Sequence, residues 1–174
     1  EVLGEQAFAR HALADASLWE YRGRQEVHTF SALMCWAGCD RLVRIAKRLK
    51  LADRAEFWAQ RAQIIHARIC ADAWNDQLGS FAATFGGNAL DASLLVMTEL
   101  DFLPASDRRL HGTVAAVESH LRRGDFLLRH DRPDGALQEV LDAGAGQDAQ
   151  RAHAEEAEHD PAPHRGTRDP SGRS

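Results

Sequence analysis

The stretch that decides the fold runs from His28 to Lys50 and reads HTFSALMCWAGCDRLVRIAKRLK. Its large apolar residues recur at intervals of three and four, a spacing that places them on one face of an α-helix. Lys47 and Arg48 fall in the last turn with Lys50, where cations stabilise the negative end of the helix dipole. The pattern therefore predicts a long amphipathic helix. Its apolar positions are Phe30, Leu33, Met34, Ala37, Leu42, Ile45 and Leu49.

The segments on both sides of this helix show the same periodicity and are separated by turn-forming residues. Asp53 is followed by Glu56 three residues later, which predicts a capping box at the start of the next long helix. Asp107 is predicted to cap a later one. The expected fold class is therefore all-α. Residues 5–14 are predicted to be the end of a helix. Further helices are predicted over about 28–50, 53–75, 89–100 and 107–122, with loops over 15–27 and 75–87 and an extended segment over 125–130.

Composition divides the chain into two parts. Of its 174 residues, 44% are apolar and 27% are charged, yet no Leu, Ile, Val, Met, Cys or aromatic residue occurs from Asp142 onward. A segment without large apolar side chains cannot bury enough surface to offset its ordering entropy. We therefore expect a folded region over residues 1–134 and a disordered tail over 135–174. The first residues carry neither Met nor a signal-peptide pattern, so we expect the chain to begin inside a longer one.

Charge and cysteine content narrow the classes of function. The formal net charge is −5. The chain therefore has no basic excess of the kind that favours binding to nucleic acid or to an anionic membrane. No apolar run approaches the roughly 20 residues that span a bilayer. The cysteines, Cys35, Cys39 and Cys70, are odd in number and form no Cys-x-x-Cys pair, which favours a reducing, cytoplasmic setting. The first two lie one helical turn apart and could ligate a metal, but small buried side chains are the favoured interpretation. We expect no metal and no cofactor.

The strongest local signal for chemistry is the loop of residues 17–24, SLWEYRGR. Glu20 lies between two aromatic residues, Trp19 and Tyr21. Apolar walls disfavour an ionised carboxyl, which keeps a proton available for donation, and flat rings stack on sugars. The alternative interpretation is a surface carboxylate paired with one of the two arginines that follow it.

Two other polar residues stand beside predicted helices. Asp91 begins an apolar run and is predicted to cap it rather than to act in chemistry. His28 could line a site, but a capping or otherwise satisfied polar residue is favoured.

A series of short motifs continues along most of the chain. They are Trp19-Glu20-Tyr21-Arg22-Gly23, His28-Thr29-Phe30-Ser31, Met34-Cys35-Trp36-Ala37, Asp40-Arg41, Ala73-Trp74-Asn75, Gly79-Ser80-Phe81, Leu90-Asp91-Ala92-Ser93-Leu94-Leu95, Phe102-Leu103-Pro104, Gly112-Thr113-Val114 and Leu127-Leu128-Arg129-His130. In this order and at these spacings, the motifs resemble glycoside hydrolase family 15. That family contains glucoamylases, glucodextranases and some bacterial trehalases.

The resemblance implies that the chain holds part of an (α/α)6 barrel with an active site at one end. It implies an inverting hydrolase of α-linked glucosides. One carboxylic acid protonates the glycosidic oxygen, and a carboxylate roughly 6.5–9.5 Å away activates water on the opposite face of the sugar. By the family pattern Glu20 is the general acid, Trp19 belongs to the sugar-binding wall, and Arg129 binds sugar hydroxyls. His130 stands where the family usually has an aromatic residue.

The chain departs from the family pattern where the general base should lie. The base belongs to a Gly-Glu-Gln segment beyond Arg129, and none follows there. We therefore expect a fragment whose partner is an α-glucoside carbohydrate and which carries the acid without the base. Two alternatives stay open, namely a non-catalytic remnant and a helical scaffold that binds another protein. An incomplete barrel leaves apolar faces unpaired, so we also expect self-association.

Overall fold

The computed structural model describes residues 1–20 and 25–130, and this part of the chain is mostly helical, as an all-α fold requires. Two short antiparallel strand pairs and one 3₁₀ helix complete it. The α-helices are α1 (Val2–Arg10), α2 (Thr29–Arg48), α3 (Ala52–Asp72) and α4 (Arg108–Leu121). The other elements are β1 (Trp74–Asn75) paired with β2 (Ser80–Phe81), the 3₁₀ helix Ala92–Met97, and β3 (Arg122–Arg123) paired with β4 (Phe126–Leu127).

The main core lies between α2 and α3, which form a helical hairpin. Leu33 of α2 and both Trp58 and Ile65 of α3 are fully buried there. Each such side chain contributes about 1.5–3 kcal/mol when it leaves water. The connection is tight, because the Leu51 N–H donates to the Ala46 carbonyl over 2.9 Å. Two long amphipathic faces and a short link therefore account for the hairpin.

The first helix docks on this hairpin through a glycine. A Cβ atom on Gly4 would lie 2.7 Å from the Trp58 ring and would also overlap the Leu42 side chain. Gly4 is accordingly the buried residue of α1. Only glycine allows the α1 backbone to approach the buried indole this closely.

The helix expected over 28–50 is confirmed by α2. The two neighbouring boundaries differ from the expectation. Helix α1 begins before residue 5, as a segment that is only the end of a helix requires, but it ends at Arg10, earlier than predicted. The predicted capping box at the start of α3 is wrong, since Leu51 is the N-cap residue and no side chain caps this helix. The tight link from α2 starts α3 early and places Asp53 already inside its first turn.

The predicted α-helix over 89–100 is wrong, because this segment forms only the 3₁₀ helix Ala92–Met97. The backbone just before it is extended and pairs with a distant part of the chain. Asp91 forms a β-bridge with His130, and the Ala92 N–H donates to the Arg129 carbonyl over 2.8 Å. Backbone groups that form these hydrogen bonds are not available for helical ones, so the helix does not extend towards residue 89.

Helix α4 begins where the sequence predicts. The Asp107 carboxylate accepts a hydrogen bond from the Arg109 N–H at 2.9 Å, so the predicted cap is confirmed. The helix also lies against the turn between β1 and β2, because a Cβ on Gly112 would overlap the Gly79 carbonyl. The antiparallel pairing of Asn75 with Ser80 lies within the loop predicted over 75–87, and Phe81 of β2 is fully buried.

Among residues 1–20 and 25–130, no helix is long and apolar enough to cross a bilayer. The tail expected to be disordered over 135–174 lies outside the described residues. The extended segment expected over 125–130 contains β4, and the turn before β4 has Gly124 at a φ of +58°.

Candidate active site

The loop between α1 and α2 carries the first candidate residues. Its two sides are joined by a β-bridge between Asp15 and Glu26, with N–O distances of 2.9 and 3.3 Å. The Asp15 carboxylate also accepts from the Ser17 N–H at 2.6 Å. Ser17 and Glu20 both have positive φ angles, of 67° and 52°. The loop therefore turns sharply on both sides of Leu18 and Trp19.

Trp19 is half-buried and is held at two points. Its indole N–H donates to Asp91 Oδ2 at 2.9 Å. Its ring lies beneath the Arg129 guanidinium, whose carbon is 5.2 Å from the ring centroid. The His130 ring is adjacent, with its centroid 6.5 Å from that of Trp19. A guanidinium above an indole face is a favourable cation–π arrangement.

The backbone of Arg129 fixes its place beside Trp19. The Arg129 carbonyl accepts from the Ala92 N–H, and the next residue pairs with Asp91. The structure therefore brings together Trp19 and Arg129, two residues that the sequence resemblance assigned to sugar binding. They are separated by 110 positions in the chain, and the 3₁₀ helix segment joins them.

A surface groove opens beside this pair, with a volume of about 520 Å³. Its lining includes Trp19 and Arg129, which contact each other, and the exposed Glu99 adds a carboxylate. Flat rings and charged hydrogen-bonding groups in one concave surface suit a polar ligand with apolar faces. The remaining lining residues are Leu18, Phe30, Ala92, Ser93, Leu95, Val96, Thr98, Leu127 and Leu128.

Glu20, the predicted acid, directly follows Trp19 in the chain. Its side chain is exposed, and it is not among the described residues that line the groove. Its backbone N–H donates to the Ser17 carbonyl at 3.2 Å. Tyr21, one of the two aromatic residues predicted to flank the carboxyl, lies outside the described residues. The role of Glu20 therefore stays a prediction.

Asp91 has more contacts than the sequence indicates. The predicted cap is confirmed, because Asp91 Oδ1 accepts from the Ser93 N–H at 2.8 Å. The second oxygen accepts from the Trp19 indole, and the residue is 3% exposed. Sequence reasoning missed this second contact because it joins residues 72 positions apart. No local pattern signals such a pairing.

His28 occupies the N-cap position of α2, but its side chain makes no capping hydrogen bond. The ring is buried, and the His28 backbone forms a bridge with Thr84. A buried polar residue is therefore confirmed, whereas capping by its side chain is wrong.

The cysteines pack as apolar side chains. Cys39 is fully buried in the main core, and burial raises its pKa to about 11, so the thiol keeps its proton at neutral pH. Burial also raises the pKa of Cys35 and Cys70. Among residues 1–20 and 25–130, no group of three or more His, Cys, Asp or Glu side chains could hold a metal ion.

The letters Gly-Glu-Gln do occur in the chain, at Gly4-Glu5-Gln6, before rather than after Glu20. Glu5 lies on α1, and its carboxylate is 3.5 Å from the Arg61 guanidinium. Gly4 serves the helix packing described above. This segment is therefore part of α1 and takes part in its packing.

Comparison with known proteins gives one family. The family model described as glycosyl hydrolases family 15 matches residues 9–138. A trehalase of Mycobacterium tuberculosis is 35% identical over 134 residues, which are 75% of this chain and 20% of that protein. A trehalase of Thermoplasma acidophilum is 32% identical over 123 residues, covering 71% of this chain and 21% of that protein. The chain thus spans about a fifth of the length of these curated relatives.

Solved structures of glycosidases have a fold similar to that of this chain. A glycosidase in complex with glucose superposes with a TM-score of 0.62 at 22% identity, covering 71% of this chain and 32% of that one. A wild-type glycosidase gives a TM-score of 0.60 at 23% identity, with the same two coverages of 71% and 32%.

Proposed function

The chain belongs to glycosyl hydrolases family 15, and from this premise we propose that it forms the acid-donating, sugar-binding side of an inverting α-glucoside hydrolase site. The observation that carries the proposal is the groove where the Trp19 indole and the Arg129 guanidinium meet. The indole face stacks on a glucose ring, and the guanidinium donates hydrogen bonds to its hydroxyls.

In this mechanism Glu20 is the general acid. It follows Trp19 directly, so a sugar on the indole brings its glycosidic oxygen within reach of the loop that carries Glu20. The carboxyl proton moves to the glycosidic oxygen as the bond to the anomeric carbon breaks. Since Glu20 is exposed and lies at a sharp turn, a movement of the loop would bring the carboxyl to the substrate.

We further propose that the chain lacks the general base, which would activate water on the opposite face of the sugar. The Gly-Glu-Gln segment of the family does not follow Arg129, and the described residues offer no substitute beside the groove with a matching motif. General acid or base assistance is typically worth about 10²–10⁴-fold. The chain alone should therefore hydrolyse glucosides very slowly.

The architecture proposed for residues 1–134 is part of an (α/α)6 barrel, with residues 135–174 as a separate polar tail. The helical hairpin of α2 and α3 and the likeness in fold to glycosidases support the barrel. Its preferred carbohydrate is an α-linked glucoside. Trehalose is the first to test, because the curated relatives are trehalases. Three free thiols suit a reducing compartment, and we propose the cytoplasm.

Azide tests whether the chain carries the general acid without the general base, because azide is a small nucleophile that needs no base to activate it. The chain is incubated with trehalose or maltose, with and without azide, and β-glucosyl azide is measured. In this reaction azide forms a bond to the anomeric carbon as the glycosidic bond breaks, and Glu20 protonates the leaving oxygen. We expect azide-dependent product from the unaltered chain and a loss of about 100-fold or more in Glu20→Gln.

Two comparisons make the result specific. α-Glucosyl fluoride has a leaving group that needs no proton, so Glu20→Gln should still convert it in the presence of azide. Glu56→Gln, at an exposed carboxylate on α3, should behave like the unaltered chain. Equal rates for Glu20→Gln and the unaltered chain on trehalose would refute the assignment of the acid. Fast hydrolysis without azide would refute the absence of a base, and sugar binding without azide product would favour a non-catalytic remnant.

A further inference from the structure

We propose that Asp91 is the positioning residue that fixes the Trp19 indole for sugar binding, an inference that rests on the proposed function. Asp91 is 3% exposed, and its two carboxylate oxygens have separate tasks. Oδ1 accepts from the Ser93 N–H at 2.8 Å and Oδ2 accepts from the Trp19 indole at 2.9 Å. One buried carboxylate therefore ties the loop before α2 to the start of the 3₁₀ helix.

The backbone around Asp91 also contacts a third segment, which contains Arg129 and His130. Asp91 forms a bridge with His130, and the neighbouring Ala92 N–H donates to the Arg129 carbonyl at 2.8 Å. The side chain of Asp91 thus positions Trp19, while the adjoining backbone positions Arg129. The Asp91 segment therefore positions both residues that are proposed to hold the sugar.

The indole bond is a constraint that loop packing alone does not supply. Trp19 is half-buried and lies in a loop held by two positive φ angles and one β-bridge. A hydrogen bond from an indole to a buried carboxylate is charge-assisted and sets the rotation of the ring. With the ring fixed, its face is presented to the groove before ligand arrives, so less conformational freedom is lost on binding.

Asparagine at position 91 should keep one contact of the carboxylate, the cap on Ser93, and lose the other, the hydrogen bond from the Trp19 indole. Its side chain has one acceptor oxygen, which can retain the cap on Ser93, and an NH₂ group that cannot accept from the indole. Asparagine is also a good N-cap residue. Asp91→Asn should therefore preserve the 3₁₀ helix and release the Trp19 ring. Trp19→Phe removes the same hydrogen bond from the other side without altering Asp91.

The chain offers a matched control in a second indole–carboxylate pair. The Trp74 indole donates to Asp76 Oδ1 at 2.7 Å, at an exposed position. Asp76→Asn removes the equivalent bond outside the groove. In ¹⁵N-labelled chain the indole N–H signals report each tryptophan, and Trp19→Phe identifies the signal of Trp19. In Asp91→Asn we expect the Trp19 indole proton to exchange with solvent about tenfold faster, and in Asp76→Asn we expect it to be unchanged.

Sugar affinity supplies the readout that a purely structural cap would not change. Trehalose and maltose should bind Asp91→Asn about fivefold more weakly than the unaltered chain, with no such loss in Asp76→Asn. In the Trp19→Phe background, adding Asp91→Asn should cause no further loss. An equal loss in that background, or unchanged indole exchange in Asp91→Asn, would overturn the proposal. If the unaltered chain bound no glucoside, the proposed function would fail, and indole exchange would still decide the inference about Asp91.

Discussion

Replacing Asp107 by asparagine separates the cap of α4 from an ion pair made by the same side chain. Asp107 accepts from the Arg109 N–H at 2.9 Å and from the Arg109 guanidinium at 2.8 and 3.1 Å. The guanidinium contact, with the cap bond, lowers the pKa of Asp107 from its ordinary 3.8 to about 2. Asparagine can keep the cap but loses the charge.

The pKa shift sets an upper limit on the effect. A carboxyl whose pKa falls from 3.8 to about 2 gains at most about 2.5 kcal/mol of stability at neutral pH. The Asp107 side chain is 20% exposed and that of Arg109 35%, so solvent screens the pair. We therefore expect Asp107→Asn to lower the free energy of unfolding by about 1 kcal/mol at neutral pH.

The pH dependence follows from the lower pKa in the folded state. The stabilisation is complete above the unfolded pKa, near 3.8, and is lost as the pH falls through about 2. Urea unfolding at a series of pH values should show a gap between the two proteins that closes over this range. Asp101→Asn is the matched control, because that carboxylate is 74% exposed and lies 3.5 Å from Arg44. A gap that stays constant down to the lowest pH, or an equal loss in the control, would show that the contact between Asp107 and Arg109 does not stabilise the fold in this way.

Three further predictions concern packing and the surface. Gly4→Ala forces a methyl group against Trp58 and should lower the free energy of unfolding by about 1–3 kcal/mol in urea titrations. Cys39, with a pKa of about 11 and no exposure, should resist iodoacetamide in the folded chain and react after unfolding, as followed by mass spectrometry. Leu3 and Phe126 are 85% and 78% exposed, so the chain should self-associate and bind a hydrophobic dye; sedimentation showing a monomer that binds no dye would contradict this.

Local sequence patterns were sufficient to predict the helices whose structure depends on local interactions. The spacing of apolar residues gave α2, because one helical face meets the core along its length. The position of Asp107 gave the start of α4, since a cap bond spans only two residues. In both cases the pattern that predicts the helix can be read within a few positions of the chain.

The parts that sequence did not predict depend on distant backbone contacts. The apolar run after Asp91 has the composition of a helix, yet pairing with residues 129–130 limits it to the 3₁₀ segment. The bond between Trp19 and Asp91 likewise joins positions 72 residues apart. For the candidate site, the motifs identified Trp19 and Arg129, but only the folded chain shows that they share one groove.

The most direct test of the central claim is a titration of ¹⁵N-labelled chain with trehalose, followed at the indole signals. We expect a saturable shift of the Trp19 signal and no comparable shift at Trp74, whose indole is bonded to Asp76 away from the groove lining. Arg129→Gln should weaken this response, because the guanidinium above the ring is lost. A Trp19 signal that does not move at saturating sugar, or that moves no more than that of Trp74, would contradict the claim that this groove binds an α-glucoside.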